Sequence, residues 1–319
     1  MTDFNPKVSI IIPVYNGANY LREAINSALA QTYGNVEVLV VNDGSTDSGA
    51  TEKIIKSYGS RIRYFSKENG GVASALNEGI RGMSGEFFSW LSHDDVYLPE
   101  KVAVQIALMQ QLQSPTVLYG DYELINGLSQ VLRRVTIQHY SPSEFRQALV
   151  CDNPIHGCSA MVPRVCFEKV GLFDECLRTT QDYDLWFRMA KAYEFLHMPV
   201  VLLKSREHAE QGTVTMSALH NRECNDYLIS GMQQLVAELL AKGESKESSS
   251  MFMATCAISF RRRGFSQTAK QAFREVKLTA GVWKLLMHTQ YRTLLLSYLN
   301  CCVQRLCQQM RLQLFQGRR

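Results

Sequence analysis

Phe87-Phe88-Ser89-Trp90-Leu91-Ser92-His93-Asp94-Asp95 begins as an apolar run and ends in two adjacent carboxylates. The apolar part reads as a buried strand. Tyr97-Leu98-Pro99-Glu100-Lys101 follows as the start of a helix with Pro in its first turn, so Asp94 and Asp95 fall in a strand-to-helix loop. Open α/β sheets bind their ligands at that end of the strands. A carboxylate pair there has two uses: gripping a hard divalent cation through oxygen, or capping the helix and complementing its dipole. The stretch alone leaves both open.

The same rhythm repeats upstream. Val8-Ser9-Ile10-Ile11-Ile12-Pro13-Val14-Tyr15-Asn16 opens with a continuous apolar run of the kind that makes a central parallel strand, stopped by Pro13 and the turn residues Asn16-Gly17. A helix is predicted over residues 20–30. Val36-Glu37-Val38-Leu39-Val40-Val41 is a second strand, and Asn42-Asp43-Gly44-Ser45-Thr46-Asp47 is turn chemistry leading into a capped helix. A short strand over residues 61–65 and a helix over 72–81 follow, separated by Asn69-Gly70-Gly71. The stretch ending at Asp95 closes the fourth repeat of strand then helix, which predicts a doubly wound, mainly parallel sheet.

Downstream of a helix over residues 99–111 the rhythm changes. Residues 116–125 and 128–138 flank Asn126-Gly127, a strong hairpin signal, so the sheet becomes mixed. Residues 155–162 and 195–203 read as strands, and 181–191 as a helix with Leu185, Trp186 and Met189 facing inward. The α/β domain is predicted to span residues 1–215. Residues 216–319 are predicted to be helical, with a loop at 243–250 and a break near Gly264.

Composition narrows the class. A chain of 319 residues, 46% hydrophobic and 20% charged, can bury a substantial core. Its 34 Lys and Arg against 30 Asp and Glu leave a net charge of +4, too mild for a general nucleic-acid binder. No secretory leader pattern and no apolar run near the roughly 18 residues of a membrane span is present, so a soluble or peripheral cytoplasmic protein is expected. Nine scattered cysteines without a CxxC pair fit reduced thiols better than a disulfide framework or zinc finger.

The loops after the four strands converge on the carboxyl edge of the sheet, where nucleotides bind in this architecture. Asp43 is placed to accept a hydrogen bond from a base N–H, with Tyr15 or Pro13 against the ring; a plain Asp-Gly turn is the alternative. Asn69-Gly70-Gly71 lets backbone N–H groups approach a phosphate, yet Walker and GxGxxG patterns are absent, which excludes P-loop enzymes and standard dehydrogenases.

Six stretches in order make the chain resemble an inverting family 2 glycosyltransferase with the GT-A fold, over roughly its first two-thirds. They are Val8 to Asn16, Val40 to Asp47, Asn69 to Ile80, Leu91 to Asp95, Gly171-Leu172-Phe173-Asp174-Glu175 and Gln181-Asp182-Tyr183-Asp184-Leu185-Trp186-Phe187-Arg188. The resemblance implies a nucleotide-sugar donor, a UDP-sugar, and a glycan or lipid-linked acceptor in cell-surface polysaccharide biosynthesis. It implies that Pro13, Tyr15, Asn16, Asp43, Gly71 and Asp94 bind the nucleotide, that Asp95 and His208 hold Mn²⁺ or Mg²⁺, and that Asp182 is the catalytic base. Three departures stand out: Ser92 replaces an acidic residue, Leu76 an arginine that would face the diphosphate, and Gln181 a glutamate.

Asn153-Pro154-Ile155-His156-Gly157-Cys158-Ser159 lies where relatives present the acceptor. His156 is there either for a sugar hydroxyl or as a histidine satisfied by backbone. Trp186 is expected in the core, and Asp184 to cap its helix only. Beyond the resemblance, Arg261-Arg262-Arg263 and a final helix with Tyr291, Leu294, Leu295, Tyr298, Leu299, Val303 and Leu306 on one side would suit an anionic membrane surface. A bundle packed on the first domain or on a second subunit suits them equally. A non-catalytic nucleotide or carbohydrate-binding module is the competing class, and retention of Asp95 and Asp182 speaks against it.

Overall fold

The computed structural model describes residues 4–280, 296 and 298–300. The chain divides into two units, Met1–Arg146 with Pro154–His220, and Gln147–Asn153 with Asn221–Arg319. In chain order the first unit contains β1 (Val8–Val14), α1 (Leu21–Leu29), β2 (Val36–Asp43), α2 (Ala50–Lys56), β3 (Arg63–Lys67), α3 (Val72–Gly82), β4 (Phe87–Trp90), β5 (Val96–Tyr97), α4 (Lys101–Met109), β6 (Thr116–Ile125), β7 (Val131–Val135) and the start of α5 (Pro142–Cys151). It continues with β8 (Met161–Pro163), α6 (Arg164–Val170), α7 (Gln181–Met189), β9 (Glu194–Arg206), α8 (Gly212–Thr215) and the first residues of α9 (Ser217–Ala241).

The strands form one sheet among the described residues, in the order β3-β2-β1-β4-β8-β6-β9-β5, with β7 added on β6. β3, β2, β1 and β4 are parallel. The other half is mixed: β8 runs antiparallel to β4 and β6, and β9 runs parallel to β6. Every residue of β1 is buried, as expected of a strand with partners on both sides. Burying each Ile or Val there stabilises the fold by about 1.5–3 kcal/mol over leaving it exposed. α3 lies on this half through Ala73, Ala75, Leu76, Gly79 and Ile80. Its small residues allow a close approach, and a Cβ on Gly79 would collide with Ile11.

Pro13 does not stop the strand: β1 continues to Val14. The carbonyl of Ile11 accepts the N–H of Leu91, so by strand alternation the Pro13 nitrogen faces the same side, past the last β4 residue. The missing donor therefore has no strand to bond. The strand predicted through Asp95 ends at Trp90, and Val96 and Tyr97 pair instead with β9, so the carboxylates stand in a loop between two separate strand partners. The Asn126-Gly127 hairpin forms, but over a wider turn. Asn126 Oδ1 accepts the N–H groups of Leu128 and Gln130, and Ser129 takes φ 62°. α6 was not read from the sequence, and residues 157–159 form a 3₁₀ turn rather than strand.

The second unit is helical: the end of α5, most of α9, α10 (Lys246–Arg263) and α11 (Ser266–Ala280). Ser245 caps α10, its hydroxyl accepting the N–H of Ser248, and Gly264 at φ 106° ends it. Two of the three arginines read as membrane-facing are engaged within this unit. Arg263 donates to the carbonyls of Val150 and Cys151, and Arg261 to the Ser266 hydroxyl. The final-helix reading falls, apart from Tyr298 and Leu299, outside the described residues. No helix among the described residues is long and apolar enough to cross a membrane.

Candidate active site

The loops at the carboxyl edge are laced together by polar side chains of the turns. Asn16, at φ 50°, accepts the N–H of Thr46 at 2.7 Å through its side chain, and its own N–H meets the Ser45 hydroxyl at 2.9 Å. That joins the loop after β1 to the loop after β2. Gly17 lies so close to the His93 ring that a Cβ would sit 2.5 Å from it, which joins the first loop to the loop after β4. Pro13 is buried beneath this corner, and the Tyr15 ring is 45% exposed, open for a planar ligand to stack on.

Asp43 ends β2 and is only 3% exposed. Its Oδ1 accepts Lys67 Nζ and the N–H of Gly70, both at 3.0 Å, and Oδ2 accepts the N–H of Gly71 at 2.7 Å. The carboxylate thus holds the glycine loop, with one Oδ2 lone pair left for a further donor. Gly71, the N-cap of α3, takes φ 89°, which an L side chain rarely adopts. Arg178 crosses over it, donating from Nη1 to the Gly70 carbonyl at 2.7 Å. A Cβ on Gly71 would lie 2.7 Å from the guanidinium carbon. Gly71→Ala is therefore expected to cost about 1–3 kcal/mol of backbone strain and to displace Arg178; chemical denaturation beside nucleotide titration would check both effects.

The expected grouping of Asp95 with His208 is not the one built. His208 Nε2 meets Asp94 Oδ2 at 2.9 Å, both side chains partly exposed. Asp95 turns inward, 4% exposed, and its Oδ1 accepts the backbone N–H of Arg206 at 2.9 Å. The cause is pairing on both sides of the loop: β9 runs past it, so the first carboxylate reaches the end of β9 and the second reaches its backbone. Burial, then the neighbouring Asp94 charge, pushes the Asp95 carboxyl up to about 8.

Arg206, fully buried, carried no signal beyond its place two residues before His208. Its Nε donates to the Asp94 carbonyl, and Nη1 donates to Ser129 Oγ and the Asn126 carbonyl. Nη2 pairs with Glu23, and the guanidinium lies 4.3 Å over the Tyr20 ring. One side chain so ties the carboxylate loop, the hairpin turn and α1.

Asp182 sits in the first turn of α7, where its carboxylate accepts its own N–H and that of Tyr183. Those bonds lower its pKa, but crowding by protein outweighs them and raises it to about 7. The chain leading to it is pinned twice. Arg178 bonds the glycine loop, and Asn77 of α3 exchanges hydrogen bonds with the backbone of Phe173 and donates to the Glu175 carboxylate. Asp184 pairs with Arg188, whose other nitrogens hold the carbonyls of Val170 and Leu172, so its role is larger than a cap. Trp186 is buried between Phe173 and Phe195, in the core as expected.

The three departures acquire partners or surroundings. Ser92 turns to Cys158, 3.3 Å from its Sγ, and Leu76 is buried under α3. Gln181 Oε1 is buried without a protein partner. His156 places Nε2 on the Ser205 hydroxyl at 2.9 Å, so its partner is a side chain rather than backbone. Arg178 lies in no stretch that marks itself, and Cys158, though inside the acceptor stretch, carries no signal of its own there; only the fold brings Arg178 to Gly70 and Cys158 to Ser92.

The profile of Glycosyl transferase family 2 matches residues 9–162. An uncharacterized glycosyltransferase of Rickettsia typhi is 46% identical over 276 residues, 84% of each chain. Another, from Rickettsia bellii, is 50% identical over 248 residues, 76% of this chain but 36% of that protein, so this chain spans little more than a third of that relative. Among solved structures, S. aureus TarS residues 1–349 in complex with UDP-GlcNAc superposes with a TM-score of 0.64 at 17% identity, covering 92% of this chain and 89% of that one. This likeness establishes the shared fold.

Proposed function

The chain belongs to glycosyltransferase family 2, and from that premise we propose an inverting sugar transfer from a nucleotide-sugar donor. We assign the donor to the uridine diphosphate type, since the TarS neighbour is bound to UDP-GlcNAc. The acceptor is a hydroxyl of a glycan or lipid-linked sugar, and the product class a cell-surface polysaccharide. The observation that carries the reading is Asp182: a carboxylate raised to about 7 at a helix start that Arg178 ties to the glycine loop.

Direct displacement at the anomeric carbon needs one proton removed from the acceptor hydroxyl. Asp182 takes it, and a pKa near the working pH suits a general base. No second carboxylate is required, because no covalent intermediate forms. Asp43, held at the mouth of the glycine loop, offers its remaining lone pair to the base N–H, and the Tyr15 ring covers the base plane. Arg178 faces the negatively charged part of the donor from the glycine loop.

Asp94 and His208 would hold a divalent cation: a carboxylate oxygen and an imidazole nitrogen 2.9 Å apart, both partly exposed. Mn²⁺ or Mg²⁺ there, when bound, supplies Lewis-acid neutralisation of the departing diphosphate. Asp95, first expected as the ligand, is assigned instead to fixing the loop through Arg206 N–H.

The test is transfer and donor hydrolysis against a panel of uridine, guanosine and deoxythymidine diphosphate sugars, with Mn²⁺ or Mg²⁺ and then with EDTA. Turnover of one donor class that stops on chelation is expected. Absence of both binding and turnover across the panel, with glycan acceptors supplied, would refute the assignment.

A further inference from the structure

The carboxylate loop is strung between strands that do not pair with each other. β4 and β5 are joined by residues 91–95 alone, yet β8, β6 and β9 lie between them in the sheet. The sheet must therefore curl until the two ends meet, and a buried polar cluster fills the place where they do. The Tyr97 hydroxyl donates to the Trp90 carbonyl at 2.5 Å and lies 2.8 Å from Ser89 Oγ. Lys101, in the first turn of α4, donates to Ser89 Oγ and to Gln105 Oε1, both at 2.9 Å, with Nζ 4.3 Å over the Tyr97 ring. Gln105 Nε2 carries the connection to the Ser159 carbonyl, beside β8, at 2.9 Å. All of these side chains are buried.

We propose that Tyr97 and Lys101 are positioning residues for the divalent cation: they close the base of the loop that carries Asp94 and Asp95, and so set where its carboxylates stand. The inference rests on the reading that this loop takes the cation.

The protons of the cluster follow one order. As an ammonium Lys101 only donates, and it donates to Ser89 Oγ. Tyr97 spends its proton on the Trp90 carbonyl, so the Ser89 hydroxyl donates to Tyr97 Oη. The relay therefore runs from Lys101 through Ser89 and Tyr97 to Trp90, each link polarising the next. It ends on the last residue of β4, where the chain enters the loop. The exit is held by the same tyrosine: its N–H donates to Ser27 Oγ at 3.1 Å, and its backbone pairs with Leu203 of β9. One residue thus fixes both ends, the entry by its hydroxyl and the exit by its backbone.

Packing alone would need none of this. Lysine is seldom fully buried unless paired with an opposite charge, and among the described residues Lys101 hydrogen-bonds only neutral groups. Burial lowers its pKa to about 7, a cost that an apolar residue of similar length would avoid. A costly polar group at the base of an acidic loop is expected where geometry is kept for the site rather than for stability.

Free Mn²⁺ would be followed by electron paramagnetic resonance as the wild-type chain and its variants are titrated with UDP present. Tyr97→Phe keeps the ring and removes the last donor of the relay; Lys101→Met keeps most of the stem and removes the first. Each should weaken Mn²⁺ binding by about 10-fold or more, while kcat for donor hydrolysis at saturating Mn²⁺ is largely kept and UDP affinity without metal is unchanged. Val8→Ala, at a buried position on the far end of β1, is the control: it should lower the melting temperature without moving Mn²⁺ affinity. A wild-type chain that binds no Mn²⁺ beside UDP would remove the cation reading and this inference with it. Wild-type-like Mn²⁺ affinity in either variant, an equal loss in Val8→Ala, or a fall in kcat with affinity unchanged would overturn the positioning role alone.

Discussion

Asp182→Asn is expected to lower kcat for sugar transfer by about 10²–10⁴-fold while nucleotide binding persists. The amide fills the same space and can still accept the N–H groups at the start of α7, so what is removed is the capacity to take a proton. In the wild-type chain kcat/KM should rise with pH through about 7 and level off above it, because the carboxyl is protonated, and idle as a base, below that value. A flat wild-type profile, or near-normal turnover by the asparagine variant, would remove Asp182 from the mechanism.

The same raised pKa has a consequence for stability. The folded state holds the Asp182 proton more tightly than the unfolded chain, so its contribution is fully present below the unfolded value near 4 and is lost as pH rises through about 7. Below pH 4 both states carry the neutral acid and the variant should match wild type. At pH 8 the wild-type chain buries a charge that the asparagine does not. Asp182→Asn should then melt later than wild type by a margin that grows between pH 4 and 8, and thermal melts across that range would show it. Stability gained at the expense of activity is the usual mark of a strained catalytic group.

Arg206→Ala is expected to be the most damaging single change to the fold at the site, costing about 2–4 kcal/mol through the lost packing of a fully buried side chain and an unsatisfied carbonyl. The alanine removes the donor to the Asp94 and Asn126 carbonyls and the Ser129 hydroxyl; Asn126 keeps the Ser129 N–H and Ser129 keeps Glu23, so the Asp94 carbonyl is the group left short, at about 1–3 kcal/mol. Glu23 is 41% exposed at its side chain and can return to water, so it adds little. Glu23→Gln should therefore cost less, keeping a hydrogen-bond acceptor beside the guanidinium. Arg206→Lys should fall between, since one ammonium cannot span three acceptors in a planar fork. Urea unfolding of the three variants checks the order. An alanine variant within about 1 kcal/mol of wild type, with normal donor affinity, would show that Arg206 is not what holds the carboxylate loop.

Much of the first half of the sheet was legible from residues alone. The runs in β1, β2 and β4 are apolar and flanked by turn residues, and such runs become interior parallel strands wherever helices alternate with them. The second half was less so. β8 and the 3₁₀ turn before it are too short for period-2 patterning, and the partner of a short strand is set by which backbone happens to lie beside it. The hairpin was readable from Asn126-Gly127, but not its wider turn, because Asn126 spends its side chain on two later N–H groups rather than on a tight reversal.

The sequence by itself determined that the chain alternates strands and helices, that glycine and aspartate turns gather at one edge, and that Asp182 opens a helix whose apolar face buries Trp186. Those are properties of spacing within one element, and spacing is local. Only the tertiary structure decided that His208 pairs with Asp94 rather than Asp95, that Arg178 reaches across to Gly70, and that Cys158 lies behind Ser92. Residues side by side in the chain can have their side chains turned to different neighbours, and which of them meets a partner a hundred residues away depends on strand register and loop path, which no local pattern records.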